Sequence, residues 1–83
     1  MMYRLLTEDI NRRKVLAAVS KHFDGFTITP AIGYWKGHKE NSIAIDIETQ
    51  RAREVKKLAL EIKAINKQDA VLIQRFAPKS SLV

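Results

Sequence analysis

Tyr34, Trp35, Lys36, His38 and Lys39 fall within Gly33 to Ser42, the stretch of this chain whose residue types and spacing best suit it to chemistry. It holds the only tryptophan and one of two tyrosines, bracketed by Gly33 and Gly37. Large aromatic rings beside ammonium and imidazole groups can stack on a flat ligand and neutralise an anion. The same rings can cap a small core or pack into a subunit contact. Strand alternation puts Tyr34 on the core side and Trp35 on the open side or edge, and the flanking glycines permit a bulge or close ligand approach. A base stacked on a partly exposed Trp35 would gain roughly 1 to 3 kcal/mol. Glu40 and Ser42 fit a structural role, hydrogen-bonding the backbone of the turn.

Other side chains offer less. Asp46 and Glu48, two residues apart on one strand, could hold a divalent metal or share acid-base work in a small metal-dependent phosphodiesterase. Arg4, on a neighbouring strand, is the structural alternative, an ion pair with one of them. His22 is expected at a helix end near Asp24, and His38 in a charged loop. Neither has metal-ligand spacing, and the chain has no cysteine, so no metal or cofactor is expected. Ser42 lacks a nucleophile-elbow context, and no phosphate loop or dinucleotide fingerprint is present. The expectation is a protein without catalytic residues.

Composition bounds the rest. With 83 residues, 46% hydrophobic and 29% charged, the chain suits one folded domain, expected over residues 1–77 with a polar tail at 78–83. A domain of this size buries only about 60 to 65% of its unfolded surface, which makes homo-oligomerisation, with a dimer favoured, the natural reinforcement. The formal charge of +6 favours anionic partners. Arg12, Arg13 and Lys14 form a basic surface that reads either as a polyanion footprint or as a solvated helix face. No long apolar run and no leader-like start are evident, so a cytoplasmic protein without a membrane span is expected.

The elements that must position these groups read β-α-β-β-α-β. Tyr3 to Leu6 suit a first strand. Thr7 is then expected to N-cap a helix that carries Glu8 and Asp9 in its first turn and runs to about His22, with Gly25 as the stop. Val15, Leu16, Val19 and Phe23 recur at helical spacing. Alternation from Phe26 through Tyr34 predicts a second strand, which Pro30 confines to a sheet edge or a bulge. Ser42 to Glu48, with Ile43, Ile45 and Ile47 on one side, is the third strand. Ala52, Val55, Leu58, Ala59, Ile62 and Ile65 mark a second helix, residues 66–69 a turn, and Ala70 to Phe76 the last strand.

This order fits a ferredoxin-like split plait, an α+β fold with a four-stranded antiparallel sheet and two helices on one face. The uncovered face should display Arg4, Thr27, Thr29, Ala44, Asp46 and Glu48, with Trp35, Leu6 and Leu72 as further candidates. Carboxylates on the central strand, and the lack of an aromatic-rich motif, argue against base stacking across the sheet in the manner of an RNA-recognition motif.

Phe26-Thr27, then Gly33-x-Trp35-x-Gly37, Glu40-x-Ser42 and Asn66-x-Gln68-x-x-Val71 together resemble a group of small uncharacterised bacterial and phage-encoded proteins. The resemblance implies a compact plait and a mobile-element origin, and transfers no catalytic residue. The function expected from these residues is a non-catalytic, oligomeric binding module for an anionic, base-bearing ligand, either a nucleotide-type signal or short nucleic acid, with a phage-type counter-defence role. Its ligand site would be Tyr34, Trp35, Lys36, His38 and Lys39. The alternative is a protein-protein interaction module using the open sheet face or an edge strand.

Overall fold

The computed structural model describes residues 1–76, in the order β1 (Met2–Glu8), α1 (Arg12–His22), β2 (Thr27–Trp35), β3 (His38–Glu48), α2 (Ala52–Asn66) and β4 (Leu72–Phe76). Ala77 and the expected tail, residues 78–83, lie outside the described residues. The strands form one antiparallel sheet in the order β2-β3-β1-β4, the split plait expected from the sequence. The edge position of β2 explains how it accommodates Pro30, which has no N–H to donate.

Alternation along the two central strands builds the core. Tyr3 and Leu5 of β1 and Ile43, Ile45 and Ile47 of β3 are buried beneath the helices. Val15, Ala18 and Val19 of α1 and Val55, Leu58, Ala59 and Ile62 of α2 close over them. Each fully buried branched side chain contributes about 1.5 to 3 kcal/mol relative to exposure. Leu16, expected in the buried stripe of α1, is only half-buried, and Ala18 takes that place because the positions three and four residues after Val15 share its face.

The first helix starts later than the sequence suggested. Thr7 does not cap it: the residue continues the inward alternation of Tyr3 and Leu5, is 2% exposed, and belongs to β1. Glu8 and Asp9 therefore precede the helix, whose first turn carries no acidic side chain. Asn11 takes the N-cap position in the left-handed region at φ 53°, without capping its own helix, and turns its amide to the Ile65 carbonyl (3.3 Å) and the Asn66 Oδ1 (3.4 Å).

The third strand starts earlier, at His38 instead of Ser42. Pairing of β2 with β3 runs one-for-one from Thr27 opposite Asp46 to Trp35 opposite His38, without a bulge. Lys36 and Gly37 close it as a two-residue turn with φ of 51° and 78°. Positive φ at both central residues is the type I′ geometry that matches strand twist. Pairing of β1 with β3 stops at Glu8 opposite Ser42. The end of the hairpin therefore overhangs the sheet as a two-stranded arm, roughly 14 Å long for four residue pairs.

Candidate functional site: a groove beneath the β2–β3 arm

The arm divides the five aromatic and cationic residues singled out in the sequence. Trp35 opposes His38, and Tyr34 opposes Lys39, so the two pairs project from opposite faces of the ribbon. Lys36 sits in the turn with its Nζ 6.0 Å from the centre of the Trp35 ring. Tyr34 is on the helix side, as alternation required, yet it is 73% exposed, because neither helix reaches under the arm. Ile32, on the same side, is 60% exposed, and Trp35 on the other side is 52% exposed.

Under the open-face side of the arm lies a groove of about 600 Å³. Leu6, Leu72 and Val71 supply apolar wall, and Trp35 overhangs it from the arm. Gly33 and Ser42 lie at its floor with Glu40 on its wall: Gly33 is paired with Glu40, and a Cβ at position 33 would stand 2.9 Å from the Ser42 hydroxyl. Glycine at this position is a matter of room, whereas Gly37 is a matter of positive φ. Glu40 and Ser42 are thus strand residues facing a groove and not braces of the turn. Ser42 is nine-tenths buried, and its side chain lines the groove.

The opposite lip is the segment joining α2 to β4, and a buried polar network holds it in place. Thr7 donates its hydroxyl to Oε1 of Gln68. Asn66, 5% exposed, points its amide nitrogen at the Thr7 hydroxyl (3.1 Å), Oε1 of Gln68 (3.0 Å) and the Glu8 carbonyl (3.2 Å). Burying these groups is tolerable because each finds a partner. The network ties the end of α2 to the end of β1. It also sets Lys67 in the left-handed region at φ 50° and presents Gln68 and Asp69 to the groove.

The Gly33-Trp35-Glu40-Ser42 and Gln68-Val71 patterns, remote in sequence, therefore share one groove. Sequence reasoning missed the contributions of Glu8 and Asp69. Glu8 ends β1 rather than opening the expected helix, and the signal for this is the period-two alternation running on through Thr7. With Glu8, Glu40 and Asp69 on its walls against Lys67, the groove carries an excess of negative charge. Lys36, His38 and Lys39 stand beyond its rim. The expected five-residue anion site is thus not one cluster.

The remaining candidates are occupied by structural pairs. Arg4 grips Asp46 through two hydrogen bonds, 2.7 Å from Nε and 3.0 Å from Nη2, and lies over the Phe76 ring at 5.7 Å. The same bonds raise the Arg4 pKa. Glu48 accepts a 2.7 Å hydrogen bond from the Met1 nitrogen. Among the described residues no group of three or more histidine, cysteine or acidic side chains is arranged to hold a metal. His22 pairs not with Asp24 but with Glu54 (Nδ1, 2.5 Å) and Glu61 (Nε2, 2.7 Å), so it joins α1 to α2. Arg12 is bound to Asp9, whose pKa it lowers, while Arg13 and Lys14 are exposed on α1.

No family model matches the sequence, and no curated protein matches it. Two solved structures resemble the fold. A DUF3240 family protein from Shewanella baltica OS155 aligns with TM-score 0.60 at 11% identity, covering 99% of this chain and 94% of that one. The de novo designed protein Foldit4 aligns with TM-score 0.56 at 16% identity, covering 94% of each. Likeness at such identities establishes the ferredoxin-like α+β fold. Function must be argued from the site. No helix among the described residues is long and apolar enough to cross a membrane.

Proposed function

We propose that this protein is a non-catalytic interaction module that grips a polypeptide partner with the β2–β3 arm and the groove beneath it. The observation that carries this reading is the arm itself: Ile32, Tyr34 and Trp35 are carried past the helices and left more than half exposed. Exposed tyrosine and tryptophan grouped beside a groove are the side chains that dominate binding energy at protein interfaces. The carboxylates Glu8, Glu40 and Asp69 on the walls disfavour a polyanion in the groove.

The experiment is photocrosslinking in the expressing cells, with benzoylphenylalanine in place of Tyr34 or, as control, of the exposed Arg53 on α2. Position 34 should give a discrete polypeptide adduct by mass spectrometry, and position 53 should not. No adduct at 34, or equal adducts at both, would refute the module.

One contact favours a second reading, an anionic, base-bearing ligand at the outer tip. Lys36 over the Trp35 ring, with His38 across the strand from that ring, would stack a base and meet its phosphate. It requires a nucleoside triphosphate or a short single-stranded oligonucleotide to quench Trp35 fluorescence saturably. Unquenched emission with both probes would eliminate it.

A further inference from the structure

The groove and the arm tip are complementary to each other in charge and character, yet they cannot meet within one chain. The groove offers Glu8, Glu40 and Asp69 beside the apolar wall of Leu6, Val71 and Leu72, with the Ser42 side chain among them. The tip offers the ammonium groups of Lys36 and Lys39 beside Trp35 and Tyr34. Pairing is continuous along the arm up to its type I′ turn, so it projects outward and cannot fold back into the groove at its own base.

We propose that the groove accepts the arm tip of a second copy of this chain, whose groove accepts the first tip in return. This rests on the arm-and-groove module proposed above and names its partner. A two-fold contact is self-complementary, with one patch meeting itself after rotation, and a surface that presents both an acidic groove and a basic projection satisfies that condition. The exchange covers Ile32, Tyr34 and Trp35 of both copies and gives the Ser42 hydroxyl a donor from the entering lysines. It also meets the need of a small, cysteine-free domain for reinforcement beyond a single core. Each copy completes the other's groove.

Sedimentation velocity of the full chain, combined with a charge swap, tests this. Wild type should sediment as a dimer that dissociates as salt is raised, since lysine-carboxylate contacts at an interface rim are screened. Lys36→Glu/Lys39→Glu should be monomeric, as should Glu40→Lys/Asp69→Lys, each keeping wild-type far-ultraviolet dichroism. Mixed in equal amounts the two variants should form a heterodimer, because each tip then meets a groove of opposite charge. A wild type that stays monomeric at millimolar concentration, or tip variants that dimerise as wild type does, would overturn the proposal. So would failure of the mixture to associate. If the wild type is monomeric while position 34 still crosslinks another polypeptide, self-exchange falls and the interaction module stands. If position 34 crosslinks nothing, the module itself falls.

Discussion

Gly33 illustrates how a single residue can be necessary without a special backbone angle. Its missing Cβ leaves room for the Ser42 hydroxyl, 2.9 Å from where that carbon would be. Gly33→Ala must therefore push Ser42 off its position, at a cost of about 0.5 to 1.5 kcal/mol for an off-rotamer side chain. In a Ser42→Ala background that obstacle is gone, and the alanine should stabilise by about 0.4 to 1 kcal/mol by restricting the unfolded chain. Urea midpoints of the four proteins in this cycle measure the reversal of sign. An equal effect of Gly33→Ala in both backgrounds would show that Ser42 is not the constraint. The motif glycines thus separate into one that makes room and one, Gly37 at φ 78°, that makes the turn.

At the scale of elements, the helices are joined by a clamp that responds to pH. Hydrogen bonds donated by the His22 imidazolium, to Glu54 first and then to Glu61, raise the His22 pKa. His22 in turn lowers Glu54, while Glu61 is lowered first by Lys21 and then by His22. A raised histidine pKa means that its contribution is complete below the unfolded value of about 6.5 and fades as pH rises through the folded value. The glutamates act in the opposite sense, contributing above about 4.3 and losing that contribution as pH falls through their depressed folded values. The urea-midpoint gap between wild type and His22→Gln should therefore be widest near pH 5 to 6.5 and shrink towards pH 9. A gap that stays constant from pH 5.5 to 9 would rule out the charged clamp. Arg51 adds to this junction, lying 4.9 Å over the Phe23 ring and donating to the His22 carbonyl (3.1 Å).

Across the whole molecule, a basic chain of net charge +6 carries an acidic groove at one end of its sheet. Long-range charge draws anions towards the surface, while the groove itself prefers cations, so the net charge alone misjudges the partner that the groove would hold. The reciprocal exchange proposed for the arm has a thermodynamic signature as well. A partner bound only by the folded state raises stability by mass action, so the thermal midpoint of wild type should climb with protein concentration while that of Lys36→Glu/Lys39→Glu stays flat.

The architecture was legible in the sequence because hydrophobic period is a local property. Ile43, Ile45 and Ile47 at period two, and Val55, Leu58, Ala59 and Ile62 at helical spacing, specify which faces must be buried, and Pro30 specifies an edge. Element ends were less legible where two local signals competed. Thr7 suits both a helix cap and an inward strand position, and burial against Asn66 and Gln68, some sixty residues away in sequence, selected the strand. The groove was not legible at all as a unit. Its walls come from the end of β1, the base of the arm and the turn after α2, and only the antiparallel register brings Glu8, Glu40 and Asp69 to one place while leaving Lys39 outside it. The sequence by itself determined the elements and the inward faces, because each follows from the spacing of neighbouring side chains. The tertiary structure alone decided which surface residues act together, because that depends on strand register and on where the helices end beneath the arm.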